Sequence, residues 1–139
     1  MGEIQSFLPP PHPQLEAHAR KLYSLRPNSR IVLRYPAKYS SWKPIAGMCH
    51  QNCEEWERLY TGDTAVRGWL CFDFSAQGFF RFASHSIIRT QFHKLIDVTP
   101  VNTGALRPFL EDFTPKLIYD QFITDLHTRH GFTLLDHKI

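Results

Sequence analysis

Apolar residues recur at helical spacing in three stretches of the chain, and each stretch predicts a helix. The first helix is predicted over 13–25 from Leu15, Ala19, Leu22 and Tyr23. The second is predicted over 49–60 from Cys49, Cys53, Trp56 and Tyr60. The third is predicted over 115–130 from Leu117, Ile118, Phe122, Ile123 and Leu126.

Runs of β-branched and aromatic residues between turn residues predict the strands. One strand is expected over 30–35, before Pro36, and the residues from 36 to 47 have the composition of a loop. Three further strands are expected over 66–74, 79–90 and 94–98, and a short one over 132–135. Helices that alternate with an antiparallel meander indicate an α+β fold, in which the helix that starts at Cys49 packs on the sheet.

Length and composition indicate one ordinary globular domain over 1–139. Within it we expect an extended, proline-containing N-terminal arm over 1–12, a core over 45–100, and a C-terminal helix and tail over 101–139. No apolar run approaches the roughly 20 residues that a membrane helix needs, and the N-terminus lacks the pattern of a secretory signal. We therefore expect no membrane association.

Charge and cysteine content narrow the expected partners and compartment. The net charge is only +3 and the basic residues are scattered, so nucleic-acid binding is not expected. The three cysteines are an odd number, which together with the missing signal favours a reducing compartment, the cytoplasm. In such a compartment a cysteine serves as core filler, metal ligand or nucleophile.

Cys49 is the candidate nucleophile because it opens the second predicted helix, directly after Gly47 and Met48. The free N–H groups and the dipole of a helix start favour a thiolate. The same residue lies on the apolar face of that helix and so points toward the sheet. Cys53 and Cys71 are expected to be core residues.

His85 and Asp97 are the candidate partners of this cysteine. If the second and third strands of the meander form a hairpin around 91–93, residues whose numbers sum to 182 face each other, and His85 lies opposite Asp97. Ala83, Ile87 and Leu95 share their face. A carboxylate beside an imidazole fixes its tautomer and supports the imidazolium, as a thiol nucleophile requires. A shift of the register by one residue would separate the pair.

Three other residues are candidates for substrate binding or the oxyanion hole. Asn52 could be an ordinary exposed helical residue, or it could hold the loop or a substrate amide. Trp69 could line a cleft or fill the core, and Trp42 could form a cleft wall or contribute to the oxyanion hole. The Cys49 backbone N–H is the simplest oxyanion donor, and the sequence does not identify a second. His50 is expected to face solvent.

The order Cys, His, Asp resembles the core of transglutaminase-like and papain-like cysteine hydrolases. His85 follows Cys49 by 36 residues, and Asp97 follows by a further 12. The pattern over 45–100 is also similar to small uncharacterised bacterial and phage proteins. The matching segments are Cys49-His50-Gln51-Asn52, Val66-Arg67-Gly68-Trp69, His85-Ser86-Ile87 and Asp97-Val98-Thr99. Ile87 stands where the family typically has Trp, and Val98 where it typically has Pro.

The resemblance implies an enzyme that transfers acyl groups from an amide or ester through a thioester, as a peptidase, amidase, deamidase or transglutaminase. A protein or peptide substrate and no cofactor are expected, and the oligomeric state stays open. Two alternatives remain. One is a non-catalytic binding module of the same fold. The other is a small zinc-binding domain, with ligands drawn from Cys49, His50, Cys53 and either His85 or His93.

Overall fold

Three α-helices and a five-stranded antiparallel sheet give the described part of the chain an α+β fold. The structure is a computed structural model that describes residues 10–34, 44–45, 47–100 and 106–139. The helices are Pro13–Leu25 (α1), Cys49–Leu59 (α2) and Lys116–His130 (α3), and all three were expected. The strands are Thr64–Phe74 (β1), Phe79–Arg89 (β2), Leu95–Ile96 (β3), Phe109–Glu111 (β4) and Leu134–Lys138 (β5).

The long hairpin of β1 and β2 forms the centre of the sheet. Its register runs from Thr64 opposite Arg89 to Phe74 opposite Phe79. The strand order is β3-β2-β1-β4, and β5 pairs with β2. β3 and β5 therefore share one edge of β2, at its two ends. Between them, residues 85–87 of β2 have no partner strand on that edge within the described part of the chain.

The strand expected over 30–35 is not a strand in its described residues, 30–34. Arg30 makes an isolated antiparallel bridge to Phe109 of β4, and Arg34 a parallel bridge to Asp97 beyond β3. The two ends of the segment thus bond to opposite edges of the sheet, and neither ladder is long enough to make a strand. Between them, Val32 packs in a cluster with Val66, Ile87 and Phe109, and the sheet curls around this cluster.

The hairpin between β2 and β3 has a register two residues away from the expected one. Ile88 faces Ile96 and Arg89 faces Leu95, so facing numbers sum to 184 rather than 182. The cause lies in the turn, where the Thr90 N–H donates to the Lys94 carbonyl across a three-residue loop. His93 completes this loop with a positive φ of 64°. A shift of two keeps the side-chain parity, so the expected common face of His85 and Asp97 survives.

β4 was not expected, and it explains the glycine in β1. Gly68 faces Glu111 of β4, and a Cβ at this position would lie 2.2 Å from the Leu110 carbonyl oxygen and 2.6 Å from Phe109 Cζ. No side chain fits such an approach, so β4 can pair here only because residue 68 is glycine. A strand of three residues is too short for an alternating pattern to reveal it.

The helices bury faces that differ in detail from the expected ones. In α3, Leu117 is 83% exposed, whereas Tyr119 is buried with Leu126. The true stripe starts two residues later than expected and follows i, i+3, i+4, i+7 spacing through Tyr119, Phe122, Ile123 and Leu126. In α1 the buried residues include His18. None of the described helices is both long and apolar enough to cross a membrane.

The main core lies between the sheet and the helices α1 and α3. It contains Leu15, Ala19, Leu22, Trp69, Cys71, Phe80, Phe82, Leu110, Tyr119, Leu126 and Leu135. A separate cluster joins α2 to β2 and β3 through Cys53, Trp56, Ile88, Ile96 and Val98. The expected arm over 1–12 and the loop over 36–47 lie largely outside the described residues.

Candidate active site

Cys49 is the first residue of α2 and is partly exposed. The helix starts there because the chain turns at Gly47, which has a positive φ of 80°, and Met48 N–H then bonds the Ile45 carbonyl. Met48 precedes the helix and supplies no side-chain cap. The thiol therefore lies at the positive end of a helix whose start carries no capping side chain at that position.

His85 and Asp97 form a close buried pair. His85 Nε2 lies 2.6 Å from Asp97 Oδ2, and both side chains are at most 10% exposed. The other carboxylate oxygen, Oδ1, accepts the Thr99 backbone N–H at 3.1 Å. In the observed register the two residues are diagonal neighbours rather than directly opposed, and the side chains span that diagonal.

The Cys49 side chain lies beside the His85 ring, close enough to act on its pKa through hydrogen bonding and charge. Since Nε2 is bonded to Asp97, Nδ1 is the nitrogen left for the thiol. Burial alone would lower the pKa of His85, but the hydrogen bonds and the charges of Asp97 and Cys49 outweigh it and raise the pKa to about 9. The structure thus brings the three expected catalytic candidates into one chain of contacts.

A second contact between α2 and β2 lies beside the approach of Cys49 to His85. His50, the residue after Cys49, has its Nδ1 against Oγ of Ser86, the residue after His85. His50 is therefore partly buried, and the expectation that it faces solvent is wrong. Burial first, and the charge of Arg67 next, lower the pKa of His50 to about 4. Its Nε2 is buried and has no hydrogen-bond partner among the described residues.

Asn52 holds the segment before Cys49 in place. It is buried, its Oδ1 accepts the Ile45 N–H at 3.0 Å, and its Nδ2 donates to the Ile45 carbonyl at 2.8 Å and to Thr99 Oγ1 at 3.1 Å. Of the roles open to it from sequence, the structure gives it the one of holding the loop. Because Thr99 also binds Asp97, this amide links the helix start to the His85–Asp97 pair.

Trp69 and the two other cysteines lie in the core. Trp69 is fully buried, and its Nε1 donates to Asp112 Oδ2 at 2.8 Å, so it lines no cleft. Burial raises the pKa of Cys53 well above its usual range and that of Cys71 to about 11. Trp42, the expected cleft wall, lies outside the described residues.

Two neighbours of the candidate site were not expected from sequence. Tyr119 of α3 is buried, and its hydroxyl donates to the Gly68 carbonyl at 2.9 Å. Arg67 lies between α2 and α3, 3.6 Å from Glu54 and 3.8 Å from Asp120. Tyr119 was missed because the buried stripe of α3 was expected to start two residues earlier. Its spacing to Phe122, Ile123 and Leu126 was a usable signal.

Metal ligands do not assemble among the residues that the structure describes. Nowhere in them do three His, Cys, Asp or Glu side chains come close enough together to hold an ion. His85 is bonded to Asp97, and His50 to Ser86, so two of the histidines considered as zinc ligands from sequence have other partners.

Comparison of the chain with protein-family models, with curated proteins and with solved structures finds no match. The function is therefore argued from the geometry of the site.

Proposed function

We propose that the chain is a cysteine-dependent enzyme that transfers acyl groups from an amide or ester, with Cys49 as nucleophile. His85 is the general base and acid, and Asp97 positions its ring. The single observation that carries the proposal is the bridging position of His85. One ring nitrogen is bonded to a buried carboxylate, and the ring lies beside a thiol at a helix start, close enough for that thiol to act on its pKa.

The acylation step follows from these contacts. The Cys49 proton passes to His85, and the sulfur attacks the carbonyl carbon to form a tetrahedral oxyanion. When this intermediate collapses, the carbon–nitrogen or carbon–oxygen bond breaks and His85 donates the proton to the leaving amine or alkoxide. A thioester on Cys49 and a neutral His85 remain.

Deacylation reverses the proton transfers. Neutral His85 takes a proton from water or from an acceptor amine, whose oxygen or nitrogen attacks the thioester and expels the Cys49 thiolate. Water gives hydrolysis, as in a peptidase, amidase or deamidase, and an amine gives transglutamination. Asp97 keeps the ring oriented through both steps, because its own position is fixed by Thr99.

The start of α2 supplies the oxyanion donor. The first N–H groups of any helix lack intrahelical acceptors, and Met48 provides no cap here. The Cys49 N–H is thus available to a developing oxyanion. Asn52 contributes indirectly, since it fixes Ile45 in the loop that leads to this helix start.

The arrangement supports the resemblance to transglutaminase-like and papain-like hydrolases, in which a helix-start cysteine precedes a strand histidine and an acidic or amide residue. We extend the proposal to a protein or peptide amide as substrate. The described cysteines are free thiols, which suits a reducing compartment such as the cytoplasm.

Two thiol reagents test the proposal. Iodoacetamide alkylates thiolates directly, and we expect it at about pH 6 to label Cys49 at least about tenfold faster than Cys53 or Cys71. p-Nitrophenyl acetate tests acyl transfer, and we expect about one equivalent of p-nitrophenol in a burst, with an acetyl group on Cys49 found by mass spectrometry.

Cys49→Ala should lose both reactions and keep the thermal stability of the parent, because Ala is tolerated at a helix start. Cys71→Ala is the matched control and should keep both reactions. If the parent protein labels Cys49 no faster than an ordinary thiol and shows no burst, the chain is a binding module rather than an enzyme.

A further inference from the structure

Tyr119 reaches from α3 into the hairpin at the position of His85. Gly68 of β1 and His85 of β2 face each other in the register. The Tyr119 hydroxyl donates to the Gly68 carbonyl at 2.9 Å. The hydroxyl thus bonds the hairpin at the one pair of facing residues that includes the proposed general base.

The His85 N–H and the Gly68 carbonyl point at each other across the hairpin. Ser84 directs its N–H outward to Thr133, and Arg67 directs its carbonyl outward to Asp112. Since direction alternates along a strand, the His85 N–H and the Gly68 carbonyl both point inward, where they would ordinarily bond each other. The Tyr119 hydroxyl joins this backbone hydrogen bonding through its bond to the Gly68 carbonyl.

The Gly68 side of this contact is held rigidly. β4 packs so closely against Gly68 that a Cβ would lie 2.2 Å from the Leu110 carbonyl oxygen. The Tyr119 ring is equally confined, with Trp69 at 5.4 Å between ring centroids and His50 edge-on at 6.0 Å. Because the Tyr119 ring and the Gly68 carbonyl are both confined, the hydroxyl that joins them fixes this part of the hairpin backbone.

We propose that Tyr119 is a positioning residue that sets the separation between the His85 ring and the Cys49 thiol. Through its hydroxyl it holds the Gly68 carbonyl, which faces His85 in the hairpin, and through its ring it contacts His50, the neighbour of Cys49 in α2. It therefore touches both the hairpin and α2, whose separation decides whether thiol and imidazole meet. This inference rests on the function proposed above and goes beyond it, because it assigns a role to a residue of a third element.

The test compares Tyr119→Phe with Tyr23→Phe as a matched control. Tyr23 is a partly buried tyrosine of α1 that packs on Phe80 and His137, away from the site. The iodoacetamide rate of Cys49 is followed against pH, below the temperature at which each variant unfolds. We expect Tyr119→Phe to lower the rate at about pH 6 roughly tenfold and to move the profile toward that of an ordinary thiol. Tyr23→Phe should leave the profile unchanged.

A measurement on the unaltered protein covers the case in which Tyr119→Phe fails to fold. By NMR, the Tyr119 hydroxyl proton should exchange slowly with water and show a cross-peak to the His85 amide proton. A fast-exchanging hydroxyl with no such cross-peak overturns the inference. So does a folded Tyr119→Phe protein whose profile matches that of the parent, since Tyr119 then serves stability alone. A parent protein whose Cys49 reacts like a free thiol overturns the proposed function and this inference with it.

Discussion

Two buried histidine–aspartate pairs of similar geometry occupy different parts of the molecule. His85 and Asp97 lie 2.6 Å apart beside Cys49, and His18 and Asp112 lie 2.6 Å apart between α1 and the chain after β4. The His18 side chain is 7% exposed and the Asp112 side chain 3%, so this second pair is as deeply buried as the first. A short bond between imidazole and carboxylate therefore does not distinguish a site.

The surroundings of the two pairs make the difference. Asp112 accepts hydrogen bonds from His18, from Trp69 and from the Thr114 N–H, and the His18 ring packs on Phe122. Burial opposes the charge of Asp112, but these hydrogen bonds hold its pKa well below its usual range. Every neighbour of that pair is structural. The other pair has a thiol beside the imidazole ring, and on this third group the proposed chemistry depends.

The largest expected effect separates the two carboxylates. Asp97→Asn should lower the acyl-transfer rate by about three to four orders of magnitude, because the amide no longer supports the imidazolium, and should keep the fold. Asp112→Asn should keep the rate and lose about 2–3 kcal/mol of unfolding free energy. Burst kinetics with p-nitrophenyl acetate and urea unfolding measure both variants. Equal losses of rate in the two would remove the distinction.

His85 and His18 should differ in the same way as Asp97 and Asp112. His85→Ala removes the partner of the thiol, so Cys49 should alkylate more slowly at about pH 6, by roughly ten- to a hundredfold. The helix start retains part of the effect, and the shift of the profile should be partial. His18→Ala should alkylate like the parent at a temperature where it is folded. A His85→Ala profile identical to that of the parent would show that the two groups are uncoupled.

NMR titration sharpens the comparison within the site. The ring of His85 should lose its proton near its pKa of about 9, and that of His50 near its pKa of about 4. His85 then stays protonated up to the alkaline limb of activity. His50 stays neutral over the same range. In Asp97→Asn the His85 pKa should fall, because the carboxylate that raises it is gone, whereas the His50 pKa should not change.

The smallest effect on the reaction is expected from the core cysteines. Cys53→Ala and Cys71→Ala each remove a buried thiol and should cost about 1–2 kcal/mol of unfolding free energy. Their Cys49 alkylation rates should stay within about twofold of the parent. Denaturant unfolding and the same labelling assay measure the two quantities. A variant that keeps its stability and loses labelling would assign its cysteine to the site.

Local patterns were sufficient to find the three helices, the central hairpin and the residues Cys49, His85 and Asp97. The expected site is present although the expected register is wrong, because both registers place each side chain on the same face of the sheet. The turn at His93 moved the pairing by two residues, and a shift of two leaves every side chain on its own face. A shift of one would have separated His85 from Asp97, and nothing in the strand sequences excludes it.

Contacts between distant segments were not accessible from sequence. β4 is three residues long and depends on the space left by Gly68, which no alternating pattern reports. His18 and Asp112 meet across 94 positions of sequence, so spacing gives no hint of the pair. The stripe of α3 was placed on Leu117 and Ile118, because hydropathy alone ranks these above Tyr119. The spacing of Tyr119 to Phe122, Ile123 and Leu126 favours the other stripe, and tertiary packing decides between the two.

The segment of residues 30–34 has a consequence for association between chains. Strand edges offer unpaired N–H and carbonyl groups to other chains, and short edges limit this. Here the outer strands β3 and β4 have two and three residues. The segment exchanges both backbone hydrogen bonds with Phe109, and its Leu33 carbonyl takes the Asp97 N–H beyond β3. One stretch of chain thus occupies pairing groups on β4 and just beyond β3, which protects these two short strands from intermolecular β-pairing.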